Sequence, residues 1–483
     1  MRKFARGMTA AMIAALPLVT VPASATAAGT AATATTLSGR LAAVKTAKQI
    51  NYYPSAAGWS RMWTDFDADT INADLAKAAA LGADSVRAIV FPSVFGYPTP
   101  KAEYTAKLAQ FVSLAAAHDM TVKLTLFDWW DGYTDITGST TWANAILAPY
   151  RYDTRVIAIG LQNELEPTNA AAIAWAKKLV PVVRAAAPEI PVTISVNEAS
   201  DLAKLKAAVP VDYYDYHFYG NSEAALAEIR LAQAAVAPAP LVIGEAGAST
   251  VTNTEGEQAA YLARVFEAAK VAGIRAVAPW TLNDFATGAI PSSGVAQSAA
   301  QYKFGLYRTD GTAKPAAGVV QAAWAGTAYP SSLLDLGFEN ASGQSPWSPY
   351  LPELGVATKT TAVARSGKWS VTMKNTGKTS AGSPSYRVAP IVPVQAGQKW
   401  HAEVWARGNA ATGATQIALS WFDVNNKWLG GASSASLPAG TTGWTKLSVD
   451  QAAPAGAASL QIHLKSGANT GTVWFDDVAL TVS

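Results

Sequence analysis

The stretch RVIAIGLQNELEP, residues 155–167, decides the fold of the longer part of this chain. Its first half is a continuous apolar run, which is typical of a strand buried on both faces of a parallel sheet. Directly after this run come Asn163 and Glu164, two polar residues at the tip of a buried strand. Such a tip predicts a strand that delivers functional side chains to one edge of the sheet.

Similar strand-like runs flank this stretch between residues 49 and 325, separated by alanine-rich segments with helical periodicity. With it, the predicted strands are 49–53, 85–91, 122–128, 156–164, 192–197, 213–219, 241–247 and 276–284. The clearest predicted helices are 67–82, 102–119, 169–188 and 255–273. Eight strands are the number that closes a parallel (β/α)8 TIM barrel, so we expect an α/β fold of this kind. A doubly wound open sheet is the alternative, because repeat count alone does not prove closure.

The sequence changes character after GTAYPSS, residues 326–332, which is typical of a linker. Beyond it the helical stretches vanish, and short β-rich runs alternate with Gly, Ser, Pro and Asn. This pattern predicts an all-β antiparallel sandwich. We therefore expect a (β/α)8 domain at 40–328 and a sandwich domain at 333–483.

The segment 1–28 has the order of a secretory signal peptide, with Arg2, Lys3 and Arg6 before an apolar core and small residues. The apolar core is too short to span a membrane as a helix. We therefore expect a secreted, extracellular protein with no membrane partner after signal removal. The chain has no cysteine, so its stability must come from a large core and not from disulfides.

Composition and charge disfavour several classes of function. Half of the residues are hydrophobic and 15% are charged, which suits packed domains. The net charge of +3 is spread without a basic cluster, so no nucleic-acid partner is expected. Without cysteine the chain has no thiol nucleophile, and its four histidines lack metal-ligand spacing. Metal-dependent barrel chemistry is disfavoured, because only His217 stands at a strand tip.

Two glutamates stand at predicted strand tips. Glu164 ends strand four, and Glu245, within VIGEAG, ends strand seven. Catalytic residues of (β/α)8 barrels lie at the C-terminal ends of the strands. Cleavage of a glycosidic bond passes through an oxocarbenium-like state that needs one carboxylic acid and one carboxylate flanking the bond. We therefore predict that these two glutamates are catalytic.

The motifs LQNELEP and VIGEAG, with SVR on strand two, HFY on strand six and a Trp on strand eight, resemble those of retaining glycoside hydrolases of clan A. Within that clan the chain is most similar to family five, the cellulase and mannanase type, and the resemblance covers all eight predicted strands. It implies that Glu164 is the general acid/base and that Glu245 is the nucleophile. No cofactor is needed for this chemistry.

The same resemblance implies roles for five further residues. Asn163 would hydrogen-bond the sugar 2-hydroxyl. Arg87 and Tyr219 would lie beside the nucleophile and orient it through charge and hydrogen bonding. His217 would line the sugar subsite, and Trp280 would be the stacking platform under the sugar.

One loop departs from the family pattern. Many members carry His and Asn near the end of strand three, whereas this chain has LTLFDWWDGYTD, residues 124–135. We expect Asp128 and its aromatic neighbours to shape a sugar subsite, since carboxylates accept hydrogen bonds from hydroxyl groups. Trp59 and Trp63, in the loop after strand one, are expected either at the same rim or packed down as a short helix. This departure leaves a cellulase-specific assignment open.

The C-terminal motifs ARSGKWSVTMKN, KWHAEVWARG and TVWFDDVAL resemble jelly-roll carbohydrate-binding modules of the family four and nine type. Such modules contact sugars through exposed aromatic rings, for which the candidates are Trp347, Tyr350, Trp421 and Trp428. Alternation along the strands is expected to place Trp400, Trp405 and Trp474 in the core. The resemblance also implies a structural calcium ion held by Glu339 and by Asp476 or Asp477, for which ordinary surface acids are the alternative.

Together these features predict a monomeric, secreted, retaining β-glycosidase that hydrolyses a β-linked polysaccharide or oligosaccharide of the β-glucan or β-mannan type. Catalysis would proceed by double displacement through a glycosyl-Glu245 intermediate. A different class of function is a non-catalytic carbohydrate-binding protein on a TIM-barrel scaffold. The presence of Glu164, Asn163, Arg87 and Tyr219 beside Glu245 argues against it. Loop shapes decide between substrates and between endo and exo action, so both stay open.

Overall fold

The computed structural model describes residues 36–483 apart from 292–297, 328, 341–344, 376–384, 389–393 and 424. The predicted signal peptide lies outside the described residues. No helix in the described part of the chain is long and apolar enough to cross a membrane.

Within the described residues, eight parallel strands form the barrel, and all eight overlap the strands predicted from the sequence. Their bounds are β1 Gln49–Asn51, β2 Ser85–Ile89, β3 Thr121–Phe127, β4 Val156–Gln162, β5 in two segments Val192–Thr193 and Ser195–Val196, β6 Tyr214–Phe218, β7 Leu241–Ala246 and β8 Val277–Pro279. Neighbouring strands pair in parallel from β1 to the first segment of β5, and from the second segment of β5 to β8.

The barrel closes between β8 and β1. The Leu282 backbone N–H donates to the Asn51 carbonyl oxygen at 3.0 Å. The Asn51 side-chain amide donates back to the Pro279 carbonyl oxygen at 3.2 Å. These contacts join the first and last strands, so the fold is a closed barrel and not an open doubly wound sheet.

Helices cover the outside of the barrel, and several of them begin at residues whose side chains cap the first turn. Their bounds in the described part are α1 Leu37–Val44, α2 Arg61–Thr64, α3 Ala68–Ala80, α4 Pro92–Phe95, α5 Ala102–Ala117, α6 Ile136–Leu147, α7 Ala170–Ala186, α8 Ala199–Ala208, α9 Ala225–Val236, α10 Glu255–Val271 and α11 Pro315–Ala325. Asp67 caps α3 and Asn169 caps α7, each accepting two backbone N–H groups of the first turn. Thr254 and Glu257 form a capping box at the start of α10.

Helix α1 covers the N-terminal end of the barrel, a contact that was not predicted from the sequence. Val44 packs in one cluster with Ile157 of β4 and Val242 of β7. The buried Arg40 side chain donates to the carbonyl oxygens of Asp153 and Val156. A guanidinium in this position satisfies carbonyl groups near the start of β4 that water would otherwise have to reach.

The C-terminal region consists of antiparallel strands in the described residues. Their bounds are β9 Ser348–Tyr350, β10 Gly355–Thr360, β11 Ser370–Asn375, β12 Ser385–Val388, β13 Lys399–Asn409, β14 Ala414–Phe422, β15 Trp428–Ser433, β16 Thr445–Ala452, β17 Ser459–Gly467 and β18 Thr472–Val482. In the part described, one sheet has the order β9-β12-β17-β14-β15 and the other β10-β11-β18-β13-β16. Side chains from both sheets, such as Val404 and Ile462, form one hydrophobic core.

Two of the predicted sugar-contacting aromatics belong to this core, so that prediction was wrong for them. Trp421 of β14 is fully buried, and its indole N–H donates to Gln451 Oε1 at 2.7 Å. Trp347 is buried as well, and its indole N–H donates to the Leu334 carbonyl oxygen at 2.8 Å. Their rings face side chains of the protein and are closed to a glycan.

The other aromatic side chains of this region are buried or exposed according to the face of the strand on which they lie. Trp400 of β13 is buried, as predicted, whereas Trp405 lies five positions later and therefore on the opposite face. Trp474 of β18 also faces outward, so the prediction of core positions for Trp405 and Trp474 was wrong. Tyr350 and Trp428 are 43% and 62% exposed, as a sugar-contacting role requires.

Hydrogen bonds connect the C-terminal sheets to the barrel. The Thr254 hydroxyl, at the start of α10, donates to the Ser345 carbonyl oxygen at 3.2 Å. The Asn426 amide donates to Glu223 Oε2 at 2.9 Å, just beyond the end of β6. Both contacts lie at the C-terminal side of the barrel strands, the side on which the predicted site residues stand.

Candidate active site

The two predicted catalytic glutamates lie close together at the mouth of the barrel. One carboxylate oxygen of Glu164, one of Glu245 and a ring nitrogen of His217 all lie within 4.8 Å of one another. In retaining glycosidases the two carboxyl groups are about 5–5.5 Å apart, and in inverting enzymes about 6.5–9.5 Å. The approach of the two carboxylates to within 4.8 Å agrees with the shorter of these separations, that of retaining enzymes.

Glu245, in β7, is buried and held by several partners. Its Oε1 forms an ion pair with Arg87 Nη1, and its Oε2 accepts the Tyr219 hydroxyl at 2.7 Å. His217 Nδ1 lies 3.4 Å from Oε1. Desolvation of the hydroxyl and the Glu245 charge raise the pKa of Tyr219 well above its ordinary value, so this hydroxyl stays protonated and donates.

Glu164 occupies the turn that ends β4. Its φ of +45° is in the left-handed region, which costs a non-glycine residue of order 1–3 kcal/mol. The turn is held by a hydrogen bond from the Glu164 backbone N–H to Ser195 Oγ at 2.9 Å. The side chain is about one-third exposed, and its Oε1 lies 2.8 Å from His217 Nδ1. The chain thus turns sharply at Glu164, directly after β4, and this turn presents the Glu164 carboxyl group to the cleft.

The pKa of Glu164 reflects opposing effects. Burial disfavours the charged carboxylate, but the hydrogen bond and charge of His217 and the charge of Arg87 outweigh it. The pKa of Glu164 in the free protein is therefore below its ordinary value.

Arg87, in β2, is held at every nitrogen of its guanidinium group. Besides the ion pair with Glu245, Nη2 donates to Asn163 Oδ1 at 2.6 Å. Nε donates to Thr125 Oγ1 at 3.1 Å, and Nη1 approaches Asn51 Oδ1 at 3.4 Å. Thr125 and Asn51 were not predicted from the sequence, although both are polar residues inside predicted strands. They fix the plane of the guanidinium group that contacts the predicted nucleophile.

A second buried ion pair lies below His217 and was also missed. Lys123 of β3 pairs with Asp215 of β6, and both side chains are buried inside the barrel. Asp215 Oδ1 lies 3.9 Å from His217 Nε2, whereas Glu164 and Glu245 face Nδ1, so the ion pair and the two glutamates lie on opposite sides of the imidazole ring. Burial opposes the ionisation of Asp215, but the charges of Lys123, His217 and Arg87 lower its pKa below the ordinary value.

An aromatic wall lines one side of the site. The Trp280 ring meets the Trp59 ring edge to face at 5.7 Å, and Trp59 stacks on Trp129 at 6.4 Å with an interplanar angle of 10°. Trp129 is 36% exposed, so its ring is open to solvent. Trp63 is fully buried, and its indole N–H donates to the Ile89 carbonyl oxygen. The two tryptophans of the loop after β1 therefore differ, since Trp59 joins the wall and Trp63 packs in the core.

Asp128 follows β3 and lies beside Asn163. Its Oδ1 accepts the Asn163 amide N–H at 3.2 Å and the Trp129 backbone N–H at 3.0 Å. Its buried position raises the pKa of Asp128 to about 7, although the charge of Arg87 and these two donors oppose the shift. The structure thus brings every residue predicted for the barrel site to one end of the strands.

The acids predicted to hold calcium bind backbone groups of one segment, residues 365–369. Glu339 Oε1 accepts the backbone N–H groups of Lys368 and Trp369 at 2.9 Å each. Asp476 Oδ2 accepts the backbone N–H of Arg365 at 2.6 Å. Over the described residues, the one cluster of three or more His, Asp and Glu side chains close enough to share a metal ion is Glu164 with His217 and Glu245.

Comparison with known proteins agrees with this geometry. A family model described as Cellulase (glycosyl hydrolase family 5) matches residues 44–286, just over half of the chain of 483 residues. No curated protein matches the sequence significantly.

Solved structures show the same fold. The chain is similar to the exo-β-1,4-mannosidase Op5Man5 from Opitutaceae bacterium strain TAV5, with 20% identity and a TM-score of 0.50, over 58% of this chain and 59% of that one. This chain thus spans less than two thirds of that mannosidase.

Two GH5_18 structures are also similar. The one from Streptomyces cattleya in complex with Manβ1-4GlcNAc is 19% identical, with a TM-score of 0.50, over 57% of this chain and 79% of that one. The one from Bifidobacterium longum subsp. longum ATCC 55813 is 19% identical, with a TM-score of 0.50, over 59% of this chain and 81% of that one. At these identities the likeness shows the fold alone. The family match, on a closed barrel with glutamates at the tips of β4 and β7, places the chain in the cellulase family, glycosyl hydrolase family 5, and thus among the glycoside hydrolases.

Proposed function

We propose that this protein is a retaining β-glycosidase in which Glu164 is the general acid/base and Glu245 is the nucleophile. The observation that carries this proposal is the separation of the two carboxylates, whose oxygens approach within 4.8 Å. That spacing suits direct attack by a carboxylate on the sugar. Arg87 and Tyr219 hold the Glu245 carboxylate in one orientation, and Glu164 keeps an exposed edge toward the cleft.

The reaction would proceed in two steps. First, the Glu245 carboxylate attacks the anomeric carbon while Glu164 gives its proton to the leaving glycosidic oxygen. This forms a glycosyl-Glu245 ester and releases the aglycone alcohol. Second, the Glu164 carboxylate takes a proton from a water molecule that attacks the anomeric carbon, and the ester bond to Glu245 breaks. Two inversions leave the product in the original β configuration.

Asn163 would bind the sugar at the cleavage point, and the fully buried His217 and the 7% exposed Trp280 would border that subsite. The Asn163 amide lies between Arg87 and Asp128, next to the nucleophile, where a contact to the sugar 2-hydroxyl strengthens in the transition state. The Trp280 ring lies at the edge of the aromatic wall. A sugar stacked on the exposed part of this ring and on the open Trp129 ring would have its apolar face covered and its hydroxyl groups free for the polar residues.

The substrate we propose is a β-linked polysaccharide or oligosaccharide of the β-glucan or β-mannan type. One structural neighbour is named an exo-β-1,4-mannosidase, and another holds Manβ1-4GlcNAc. These names put β-mannosides first in a substrate panel, with β-glucosides second. We also propose secretion, which rests on the signal-peptide pattern of the segment 1–28.

For the C-terminal region we propose a jelly-roll carbohydrate-binding module. Its exposed aromatics Tyr350 and Trp428 are the candidate sugar contacts. Trp405 is a weaker candidate, because the Arg365 guanidinium lies 3.9 Å from the centroid of its ring. A structural calcium ion at Glu339 and Asp476 remains a proposal that rests on the family resemblance and on the oxygen ligands these acids offer.

The test is to assay aryl β-mannosides, aryl β-glucosides, mannan and glucans with the wild type and with Glu164→Gln and Glu245→Gln. Glu166→Gln is the matched control, because Glu166 is exposed and lies two residues from Glu164. We expect both catalytic variants to lose roughly 10²-fold or more in kcat/KM, and the control to keep wild-type activity. If the wild type cleaves nothing, the barrel is a binding scaffold and the proposal fails.

Azide distinguishes the two roles. With an activated aryl glycoside, Glu164→Ala should regain turnover in azide and form the β-glycosyl azide, because the ester to Glu245 still forms. Glu245→Ala should form the α-glycosyl azide, because azide replaces the missing nucleophile. Identical azide products from both variants would contradict the assignment.

A further inference from the structure

Asp128 is a buried acid at the end of β3 that contacts the predicted sugar-binding amide and not the cleft itself. Its side chain is 5% exposed. Oδ1 accepts N–H groups from Asn163 and from the Trp129 backbone, whereas Oδ2 is buried without a hydrogen-bond partner among the described residues. A buried carboxyl group with these contacts is costly to retain unless its charge or its geometry is used.

The Asn163 amide is held at both ends by groups of opposite preference. Arg87 can only donate, and its Nη2 donates to Asn163 Oδ1 at 2.6 Å. An ionised Asp128 can only accept, and its Oδ1 accepts from Asn163 Nδ2 at 3.2 Å. If the amide flipped so that its oxygen and nitrogen exchanged places, its NH2 group would face the guanidinium and its carbonyl oxygen would face the carboxylate. Both contacts would become repulsive, so the two neighbours together select one orientation.

We propose that Asp128 is a positioning residue that orients the Asn163 amide toward the sugar 2-hydroxyl. Nδ2 carries two hydrogens, and Asp128 occupies one of them, which leaves the other to donate to the substrate. This inference rests on the proposed glycosidase function. It gives Asp128 an indirect role, whereas the role predicted from the sequence was a direct contact with sugar.

The charge of Asp128 depends on the groups that face it from the neighbouring strands. Arg87 from β2 favours its carboxylate, whereas the Glu164 carboxylate, just beyond β4, opposes it. The Tyr53 hydroxyl after β1 stays neutral, because burial and the charge of Asp128 raise its pKa well above the ordinary value. With burial as the main cause, its pKa lies at about 7. Below this pH the protonated carboxyl can donate as well as accept and no longer selects one amide orientation. The contribution of Asp128 to catalysis should therefore grow as pH rises through about 7.

A double-mutant cycle tests the indirect role. Wild type, Asp128→Ala, Asn163→Ala and the double variant are assayed with 4-nitrophenyl β-D-mannopyranoside, or with the corresponding glucoside if that is the better substrate. We expect Asp128→Ala to lower kcat/KM about 10- to 100-fold, the effect of losing a hydrogen bond to a charged group. The double variant should be no slower than Asn163→Ala, because Asp128 has nothing left to orient. Multiplicative losses would overturn the proposal.

A substrate without the 2-hydroxyl gives an independent readout. On the 2-deoxy analogue of the same aryl glycoside, Asp128→Ala should match the wild type within about twofold, because the oriented contact is absent. An equal loss on both substrates would show a structural role or a direct contact elsewhere on the sugar. Asp131→Ala, an exposed acid in the same loop, is the control and should not discriminate between the two substrates.

Asp128→Asn keeps the proposal testable if Asp128→Ala does not fold. Its amide oxygen can still accept from Asn163 and from Trp129, but it carries no charge. We expect the ratio of wild-type to Asp128→Asn kcat/KM to rise as pH increases through about 7, and a constant ratio would contradict the proposal.

Glu245→Gln separates the role proposed for Asp128 from the proposed glycosidase mechanism. If it abolishes activity while the cycle is multiplicative, only the role of Asp128 fails; if it stays active, the glycosidase mechanism itself fails.

Discussion

His217 Nδ1 lies 2.8 Å from Glu164 Oε1, and the same nitrogen lies 3.4 Å from Glu245 Oε1. One imidazole ring therefore contacts both proposed catalytic carboxyl groups. Burial raises the pKa of Glu164, but the hydrogen bond and charge of His217 together with the charge of Arg87 outweigh it, so the pKa in the free protein is below its ordinary value.

This contact predicts the pH dependence of activity. A general acid must carry its proton, so kcat/KM should fall as pH rises through the pKa of Glu164 in the free enzyme. Removal of the imidazole in His217→Asn should raise that pKa and move the falling limb to higher pH, with a lower maximum. The measurement is kcat/KM across the acidic and neutral range for both proteins. A limb that does not move would show that His217 does not control Glu164.

Arg87 should be essential for both stability and activity. Arg87→Ala leaves Glu245 buried without its ion-pair partner, which typically costs about 3–5 kcal/mol of unfolding free energy. Arg87→Lys keeps the charge but loses the fork that also reaches Asn163, so kcat/KM should still fall at least about 10-fold. Urea unfolding and steady-state kinetics measure the two effects. Arg61→Ala, which removes an exposed pair with Asp65, should change stability by less than about 1 kcal/mol.

The ion pair inside the barrel predicts strong coupling between Lys123 and Asp215. Lys123→Met leaves a buried carboxylate unpaired, with an expected loss of about 3–5 kcal/mol. In the double variant Lys123→Met/Asp215→Leu no charge is left unpaired, so part of this loss should be recovered. Chemical denaturation of the wild type, the two single variants and the double variant measures the coupling. Additive losses would show that the two side chains act independently.

The low pKa of Asp215 also predicts how stability depends on pH. Because the pKa of Asp215 is lower in the folded protein than in the unfolded chain, its contribution is complete above the unfolded value and is lost as pH falls through the folded value. Asp215→Leu should therefore flatten the acid side of the stability profile. An unchanged acid limb in unfolding experiments at several pH values would contradict this expectation.

Aromatic substitutions in the C-terminal region should separate binding from folding. Trp428→Ala and Tyr350→Ala remove exposed rings and should weaken retention on insoluble glycan without changing the melting temperature. Trp421→Ala removes a buried indole and should destabilise this region by about 3–5 kcal/mol. Pull-down on mannan and cellulose, together with thermal unfolding, distinguishes the two classes. If the double variant Tyr350→Ala/Trp428→Ala binds the insoluble glycan as strongly as the wild type, the proposed binding role of these rings is wrong.

The barrel was predictable because its signals are local. Most buried strands are apolar runs in the sequence, and the clearest helices are marked by periodicity, in some cases with capping residues such as Asp67 and Thr254. The site was predictable for the same reason, since strand tips of a parallel barrel share one end. Glu164 and Glu245 are distant in the sequence, yet both follow directly from the strands that carry them.

The C-terminal region was harder to interpret, because a short strand in the sequence does not show which of its faces meets the other sheet. Trp400 and Trp405 share β13, but their odd spacing puts them on opposite faces. Trp347 and Trp421 were predicted as surface rings, but the packing of the two sheets buries them. The choice between the faces depends on a partner strand far away in the chain.

By itself the sequence determined the order of the strands, the (β/α)8 class of the fold and the two acids at the strand tips, because hydrophobic periodicity and strand ends are properties of neighbouring residues. Only the tertiary structure decided how the buried polar groups meet. The contacts of Arg87 with Glu245, of Lys123 with Asp215 and of Asp128 with Asn163 each cross between strands. Their strength comes from distances and desolvation inside the closed barrel, which exist only after the chain has folded.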